Sequence, residues 1–331
     1  MTYPRSHLVD PDEPGFYHLT SRCVRRARLC GYDSISGKSF EHRRAWIEKR
    51  IHYLSRIFCV SVYAYAVMNN HYHIVLKLDP PAAKELTDNE VAERWLKLKS
   101  NLKKTTTENY RLQMNIILAD RKKLSIYRSR LGCLSWFMKL LNEPIARRAN
   151  KEDECKGHFW ESRFHSQALL DEAAIISCMV YVDLNPARAG IVKVPEKSKY
   201  TSIYMRSKNY SSEPDSKLLP VISGAISSHQ LPLSLTAYID LVNYTFLSTI
   251  NDLETKTKKE YVFLAHNLNL ISLDSEKWIK IYNKHRYRQV RALGFYHHLL
   301  EYAKKIGQRW VRHQNKFNDI LPVSKLVHEL P

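Results

Sequence analysis

The chain has 331 residues, 52 Lys plus Arg against 33 Asp plus Glu, and a formal net charge of +19. Hydrophobic residues at 44% and charged residues at 26% exclude a disordered chain, and only 9 glycines argue against a fold built on repeated Gly-rich phosphate loops. No apolar stretch follows Met1, and the longest nearly apolar run, Ala173 to Val182, is far short of the ~20 residues a membrane helix needs. Neither a signal peptide nor a membrane span is therefore expected. Six cysteines (Cys23, Cys30, Cys59, Cys133, Cys155, Cys178) form no C-x-x-C pair, so reduced thiols in a cytoplasmic protein are expected. The charge excess points to a polyanionic partner, nucleic acid being the commonest.

In chain order, Gly15 to Arg22 (GFYHLTSR) alternates apolar and polar residues after a Pro-Asp-Glu-Pro-Gly turn and reads as a first strand. Residues 23–38 form a basic loop. Ser39 is the expected N-cap of a helix in which Ile47, Ile51, Leu54 and Phe58 recur at helical spacing. Cys59 to Met68 and His71 to Leu78 are apolar strands, and the Asn69-Asn70 pair between them suits a tight hairpin turn. Residues 82–130 read as a polar helical insertion. Leu134, Phe137, Met138 and Leu141 form a further helical stripe, which Pro144 is expected to interrupt. Gly157 to Phe164 is a short aromatic strand or turn. Asp171 is the expected N-cap of a helix running to Asn185, where Pro186 should stop it. The tract from Asn209 to Pro220 reads as a linker, and helices should dominate beyond it.

The charge is uneven. Residues 131–200 carry 10 basic and 9 acidic groups, so the excess flanks a nearly neutral block. The densest tract, Lys277 to Lys316, has eleven Lys or Arg and one acid, Glu301, interleaved with Trp278, Tyr282, Tyr287, Phe295, Tyr296, Tyr302 and Trp310. Basic groups neutralise phosphates and aromatic rings stack on unpaired bases. The same pattern also describes an amphipathic helix with an aromatic core face.

Ser36-Gly37-Lys38-Ser39 imitates the end of a P-loop, but position 32, where the loop needs its first glycine, is Tyr32. A stronger candidate is His71-Tyr72-His73. On a strand, residues two apart share a face, and paired neutral imidazoles are good ligands for a divalent metal as well as tolerable structural residues. Tyr181 and Asn185 in YVDLNP form an i, i+4 pair on one helix face. An activated phenol is a nucleophile and an amide oxygen completes a metal shell, whereas the bland alternative is a half-buried aromatic. Together the two pieces describe a metal-assisted nucleophile, for which the surrounding positive charge suggests a phosphodiester target.

At these residues the chain resembles the single-tyrosine HUH transposases (His, hydrophobic, His), in particular the REP-associated tyrosine transposases. The stretches that carry the resemblance are FYHLTSRCVRRARLCG, YAYAVMNNHYHIVL, LSWFMKLLNEPIARRAN, GHFWESRFHSQALLDE and YVDLNPARAGIV, in matching order over roughly residues 14–205 once 82–130 is skipped. The resemblance implies an α+β fold with a central antiparallel, ferredoxin-like sheet and packed helices over residues 1–205, followed here by a mainly helical, basic region, 206–331. It implies Tyr181 as nucleophile, forming a 5′-phosphotyrosine, and His71, His73 and Asn185 as ligands of Mg²⁺ or Mn²⁺. Its implied partner is single-stranded or imperfect-hairpin DNA, with a monomer and a homodimer both open. Arg22, Arg25, Arg26 and Arg163 are candidate phosphate contacts or, equally, solvated surface arginines. The insertion and residues 206–331 depart from compact members and are expected to enlarge the DNA-binding surface. Two rival readings use the same residues: a DNA-binding repressor without chemistry, and a metal-dependent nuclease that forms no covalent link.

Overall fold

The computed structural model describes residues 9–24, 29–34, 36–98, 106–210, 216–249, 268, 273–285 and 291–308. Its elements are β1 (Gly15–Arg22), α1 (His42–Ser55), β2 (Val60–Val67), β3 (His71–Leu78), α2 (Pro80–Glu85), α3 (Asp88–Lys97), α4 (Thr107–Ala119), α5 (Arg121–Leu131) and α6 (Leu134–Glu152). They continue with β4 (His165–Leu169), α7 (Glu172–Arg188), α8 (Ser202–Tyr210), β5 (Lys217–Leu218), β6 (Leu231–Ser234), α9 (Leu235–Thr249), α10 (Ser275–Lys284), β7 (Ala292–Leu293) and α11 (Tyr296–Lys305). The fold is α+β, with a five-stranded, mostly antiparallel sheet.

Strand order is β2-β3-β1-β4-β7, antiparallel except for the parallel β4–β7 pair. Because β3 lies between β1 and β2, the hairpin folds back into the gap left by the β1–α1–β2 crossover. The hairpin turn falls at Asn69-Asn70, where the Met68 N–H donates to the His71 carbonyl at 2.8 Å. All eight residues of β2 are buried although it is an edge strand. Its outer edge is occupied: Val62 exchanges backbone hydrogen bonds with Ile222, the Val67 N–H donates to the Tyr200 carbonyl, and the Tyr65 N–H donates to Ser202 Oγ. Such covering protects an edge that would otherwise pair with another chain. Gly224 is required for it, since a Cβ there would lie 1.5 Å from the Val60 carbonyl oxygen.

Side-chain parity splits the sheet into two unlike faces. Tyr17, Leu19 and Ser21 of β1 are buried on one face with Tyr72 and Ile74 of β3. Helices α1 and α6 cover that face: the Tyr65 hydroxyl donates to Glu48 Oε1 at 2.7 Å, the Tyr72 hydroxyl bonds Asn142, and Asn142 Nδ2 donates to Ser21 Oγ at 2.9 Å. The opposite face carries His18, Thr20 and Arg22 of β1, opposite Val75, His73 and His71 of β3. Helix α7 lies over this polar face.

The structure corrects several local expectations. Ser39 does not cap α1; it is held in an antiparallel bridge to Tyr32, and the helix starts at His42 after Glu41. Pro144 does not interrupt α6, which runs through it to Glu152. A helical proline strips the carbonyl four residues earlier of its donor. That carbonyl, Leu140, instead accepts from Arg50 Nε of α1 at 3.0 Å. Pro186 does not stop α7 either: the helix ends at Arg188 in a Schellman turn, with Gly190 at φ +70° and the Ile191 N–H donating to the Pro186 carbonyl at 2.9 Å. The linker tract lies partly outside the described residues, and its end, Lys217–Leu218, pairs with β6. Strand β7 was not foreseen in the helical C-terminal reading.

The α6 arrangement predicts coupling. Arg50→Met should destabilise the protein by about 1 kcal/mol, the worth of a typical hydrogen bond. In a Pro144→Ala background the new amide can donate to Leu140, so the same change should cost clearly less. Urea unfolding of the four proteins tests this, and equal costs in both backgrounds would refute it.

Candidate functional site

Two carboxylates fix α7 across the polar face. At its N-terminus Asp171 Oδ1 accepts from the Ala174 N–H at 2.8 Å, the capping role expected from sequence. Its other oxygen accepts from the Phe295 N–H at 2.6 Å and from His298 Nδ1 at 3.0 Å. Farther along, fully buried Asp183 accepts from the Tyr238 hydroxyl at 2.6 Å, the Ile203 N–H at 2.9 Å and the Ser202 hydroxyl. Burial outweighs those donors and pushes the Asp183 carboxyl up to about 6. Residues two apart on a helix point to nearly opposite sides. With Asp183 turned to α8 and α9, Tyr181 is turned to the sheet.

There Tyr181 meets the histidines edge-on, its ring centroid 5.8 Å from that of His73 and 6.1 Å from that of His18. The His71 and His73 rings are 4.8 Å apart. His71 Nδ1 bonds Asn70 Oδ1 at 2.5 Å, and His73 Nδ1 lies 2.9 Å from His18 Nε2 and 3.1 Å from Thr20 Oγ1. Each Nε2 is thereby left for another partner, and that of His73 is buried with none. Burial holds His71 and His18 down to about 4 and His73 well below the ordinary range, so all three imidazoles are neutral at pH 7. Neutral imidazole with one nitrogen anchored and the other bare is the form that ligates a metal.

The chemistry of the donor set therefore suits a divalent cation. Asn185 stands one turn beyond Tyr181, its Nδ2 donating to the Tyr181 carbonyl at 2.9 Å, which leaves the amide oxygen as its acceptor end. Among the described residues no group of three or more His, Cys, Asp or Glu is arranged to hold a metal. A cation here would thus depend on two imidazoles and an amide.

The structure brings His71, His73 and Tyr181 together and sets Arg22 directly opposite His71 in register. Arg163 is exposed on the segment before β4. Arg25 and Arg26 lie outside the described residues.

Further residues enter that the sequence reading passed over. His18 was legible in principle: in an alternating strand its parity with Thr20 and Arg22 puts it on the polar face. Arg188, two turns after Tyr181, places its guanidinium 5.2 Å from the Tyr181 ring centroid. His285 stacks on Tyr181 at 5.5 Å and bonds Ser177 Oγ at 2.9 Å, and Tyr282 lies 6.3 Å away. Burial raises the Tyr181 phenol above its ordinary value, and Arg188 opposes the rise.

The basic, aromatic tract is also corrected. Trp278, Tyr282 and Phe295 are buried and cannot stack on bases, while Tyr287 and Trp310 lie outside the described residues. Lys277 and Lys280 pair with Asp274 and Glu276, and Lys305 pairs with Asp10 and Glu13. No helix among the described residues is long and apolar enough to cross a membrane.

No protein-family model matches the chain, and no curated protein matches it. A solved structure described as "Structure of the REP associates tyrosine transposase bound to a REP hairpin" aligns with 70% of this chain and 96% of that one, at 12% identity and a TM-score of 0.33. Likeness of this extent carries no functional inference.

Both anchors of α7 are testable. Asp183→Ala strands three donors and should cost about 3 kcal/mol in chemical unfolding, with Asp183→Asn costing less. At the other end, the bond to Asp171 raises His298 above its ordinary 6.5, against a smaller opposing effect of burial, with Glu301 adding to the rise. A raised base stabilises the fold fully below its unfolded pKa and loses that contribution as pH rises through the folded value. Unfolding free energy should therefore fall as pH climbs above about 6.5, and His298→Gln should flatten that part of the profile.

Proposed function

We propose that the protein is a DNA strand-transferase of the single-tyrosine kind, cleaving and rejoining single-stranded or hairpin-flanked DNA in transposition. One observation carries the reading: the Tyr181 ring lies edge-on to His73, the neutral neighbour of His71, and the buried Nε2 of His73 has no partner. Paired imidazoles and a phenol on facing elements are the components of phosphodiester chemistry through a covalent intermediate. The split strand order supports a ferredoxin-like description of the sheet for this unit.

On this reading Tyr181 Oη attacks phosphorus. The phenol proton passes to solvent as the O–P bond forms, the bond to the 3′-oxygen breaks, and the departing 3′-oxygen takes up a proton from solvent. A 5′-phosphotyrosine and a 3′-hydroxyl result, and reversal of the step rejoins DNA without a nucleotide cofactor. His71, His73 and the Asn185 amide oxygen would hold Mg²⁺ or Mn²⁺, which when bound supplies a Lewis acid for the scissile phosphate. Arg188 counters the burial that keeps the phenol protonated. Arg22, opposite His71 in register, would contact the phosphate, and Arg25, Arg26 and Arg163 would extend the grip. Exposed lysines of residues 206–331 would add contacts, since surface ion pairs worth ~0–1 kcal/mol exchange readily for phosphates.

Incubation with labelled hairpin DNA from the flanks of its own gene and Mn²⁺ should yield a covalent protein–DNA band on a denaturing gel. Tyr181→Phe should abolish the band. His71→Ala should slow its formation about a hundredfold, equivalent to ~3 kcal/mol of lost transition-state stabilisation. Cleavage that survives Tyr181→Phe would instead indicate a nuclease without a covalent link, and binding without cleavage a repressor.

A further inference from the structure

The polar face of the sheet holds a line of three side chains, one from each of adjacent strands β4, β1 and β3. Gln167 lies opposite His18 in the β1–β4 register, and His18 lies diagonally from His73 across β1–β3. Gln167 Oε1 is 3.4 Å from His18 Nδ1, and His18 Nε2 is 2.9 Å from His73 Nδ1. The two imidazole planes are within 17° of parallel, with centroids 5.1 Å apart. That separation with so short an N···N contact describes two rings joined edge to edge, nearly coplanar, rather than one lying over the other. An N···N contact of this length holds one proton.

We propose that Gln167 and His18 form a relay that locks His73 in its Nδ1–H tautomer, so that Nε2 presents a bare lone pair to the space beneath Tyr181. The direction follows from the end of the line. The Gln167 carbonyl oxygen is an acceptor only, so His18 Nδ1 bears the proton and His18 Nε2 is an acceptor. His73 Nδ1 must then donate, and its Nε2 carries none. Thr20 Oγ1, 3.1 Å from the same nitrogen, is a second acceptor for that proton. The relay also explains the orphaned atom: the buried, unpartnered Nε2 is an acceptor awaiting a cation or a donor. His71 reaches the same tautomer independently through Asn70 Oδ1. His18 and Gln167 are thus positioning residues, and the use of Nε2 as a metal ligand rests on the function proposed above.

Nitrogen-15 NMR of the metal-free full chain, labelled at histidine, reads the tautomer directly, with His73→Gln identifying the signal. His73 should show a protonated Nδ1 and a bare Nε2. His18→Phe, which keeps a flat ring but no nitrogen, should move the pair of shifts towards the tautomer average. Gln167→Glu, an acceptor at either oxygen, should preserve them. With Mn²⁺ alone as probe, water-proton relaxation should show affinity weakened about 10- to 100-fold in His18→Phe, the usual effect of losing an outer-shell partner. A protonated Nε2 in the wild type, as the reversed Gln167 amide would impose, overturns the proposal. So does an unchanged tautomer in His18→Phe. If that variant does not fold, Gln167→Leu should loosen the same signal, and no change there is equally fatal. A locked tautomer in a wild type that fails to hold Mn²⁺ would leave the relay standing and remove the metal from the proposed function.

Discussion

The position of α7 depends on a buried carboxylate. Apolar packing alone specifies helix rotation loosely, because neighbouring apolar residues substitute for one another in a greasy interface. Asp183 permits one rotation, since burial without its three donors would cost several kcal/mol. Two segments remote in sequence converge on it: the start of α8, through the Ser202 hydroxyl and the Ile203 amide, and Tyr238 of α9. Arg206 stands behind them, buried, donating to the Tyr63 and Leu219 carbonyls at 2.8 and 3.0 Å. The same polar cluster therefore orients the helix and closes the β2 edge. Once the Asp183 side faces α8 and α9, the helix repeat puts Ser177, Tyr181, Asn185 and Arg188 on the other side.

That side meets a sheet face which is itself unusual. Most buried sheet faces are apolar, and this one carries three histidines, a threonine and a glutamine in contact. Its stability comes from pairing at least one nitrogen of each ring and from keeping the rings uncharged. The same desolvation that lowers the imidazoles raises the phenol above them. Both shifts favour the neutral forms, so the imidazoles and the phenol carry no charge at rest, and Arg22 and Arg188 supply the positive charge beside them. In such a setting an incoming anion or cation alters the protonation preferences of every group at once.

Local chemistry made much of this legible. Alternation gave β1, the apolar runs with Asn69-Asn70 between them gave the hairpin, and parity put His71 and His73 on one face. The i, i+4 spacing gave Tyr181 and Asn185 a common side. Local rules failed where a distant group compensates. Pro144 reads as a break because the sequence around it contains no donor for Leu140; the donor is Arg50, ninety residues earlier. Ser39 reads as a cap until Tyr32 takes it into a bridge. Strand β7 is two residues long, and its pairing with β4 is set by the preceding fold rather than by any alternation of its own. His285 has no local signature at all, and Tyr282 reads only as one aromatic of the basic tract, not as a neighbour of Tyr181.

Those last two residues change the meaning of the C-terminal tract. Basic residues alternating with aromatics suggest a surface for single strands, but Trp278, Tyr282 and Phe295 of that pattern are spent inside the molecule. Trp278 Nε1 donates to Thr245 Oγ1 at 2.9 Å, tying α10 to α9, while Tyr282 and His285 lie against Tyr181. The parallel β4–β7 pair and the Asp171 contacts to Phe295 and His298 tie the chain beyond α10 to β4 and the start of α7. Residues well beyond the histidine and tyrosine motifs thus form one wall around the tyrosine. The phenol's raised pKa owes its burial partly to them, so changes in α10 should reach the chemistry of Tyr181 through solvation, without touching the paired histidines.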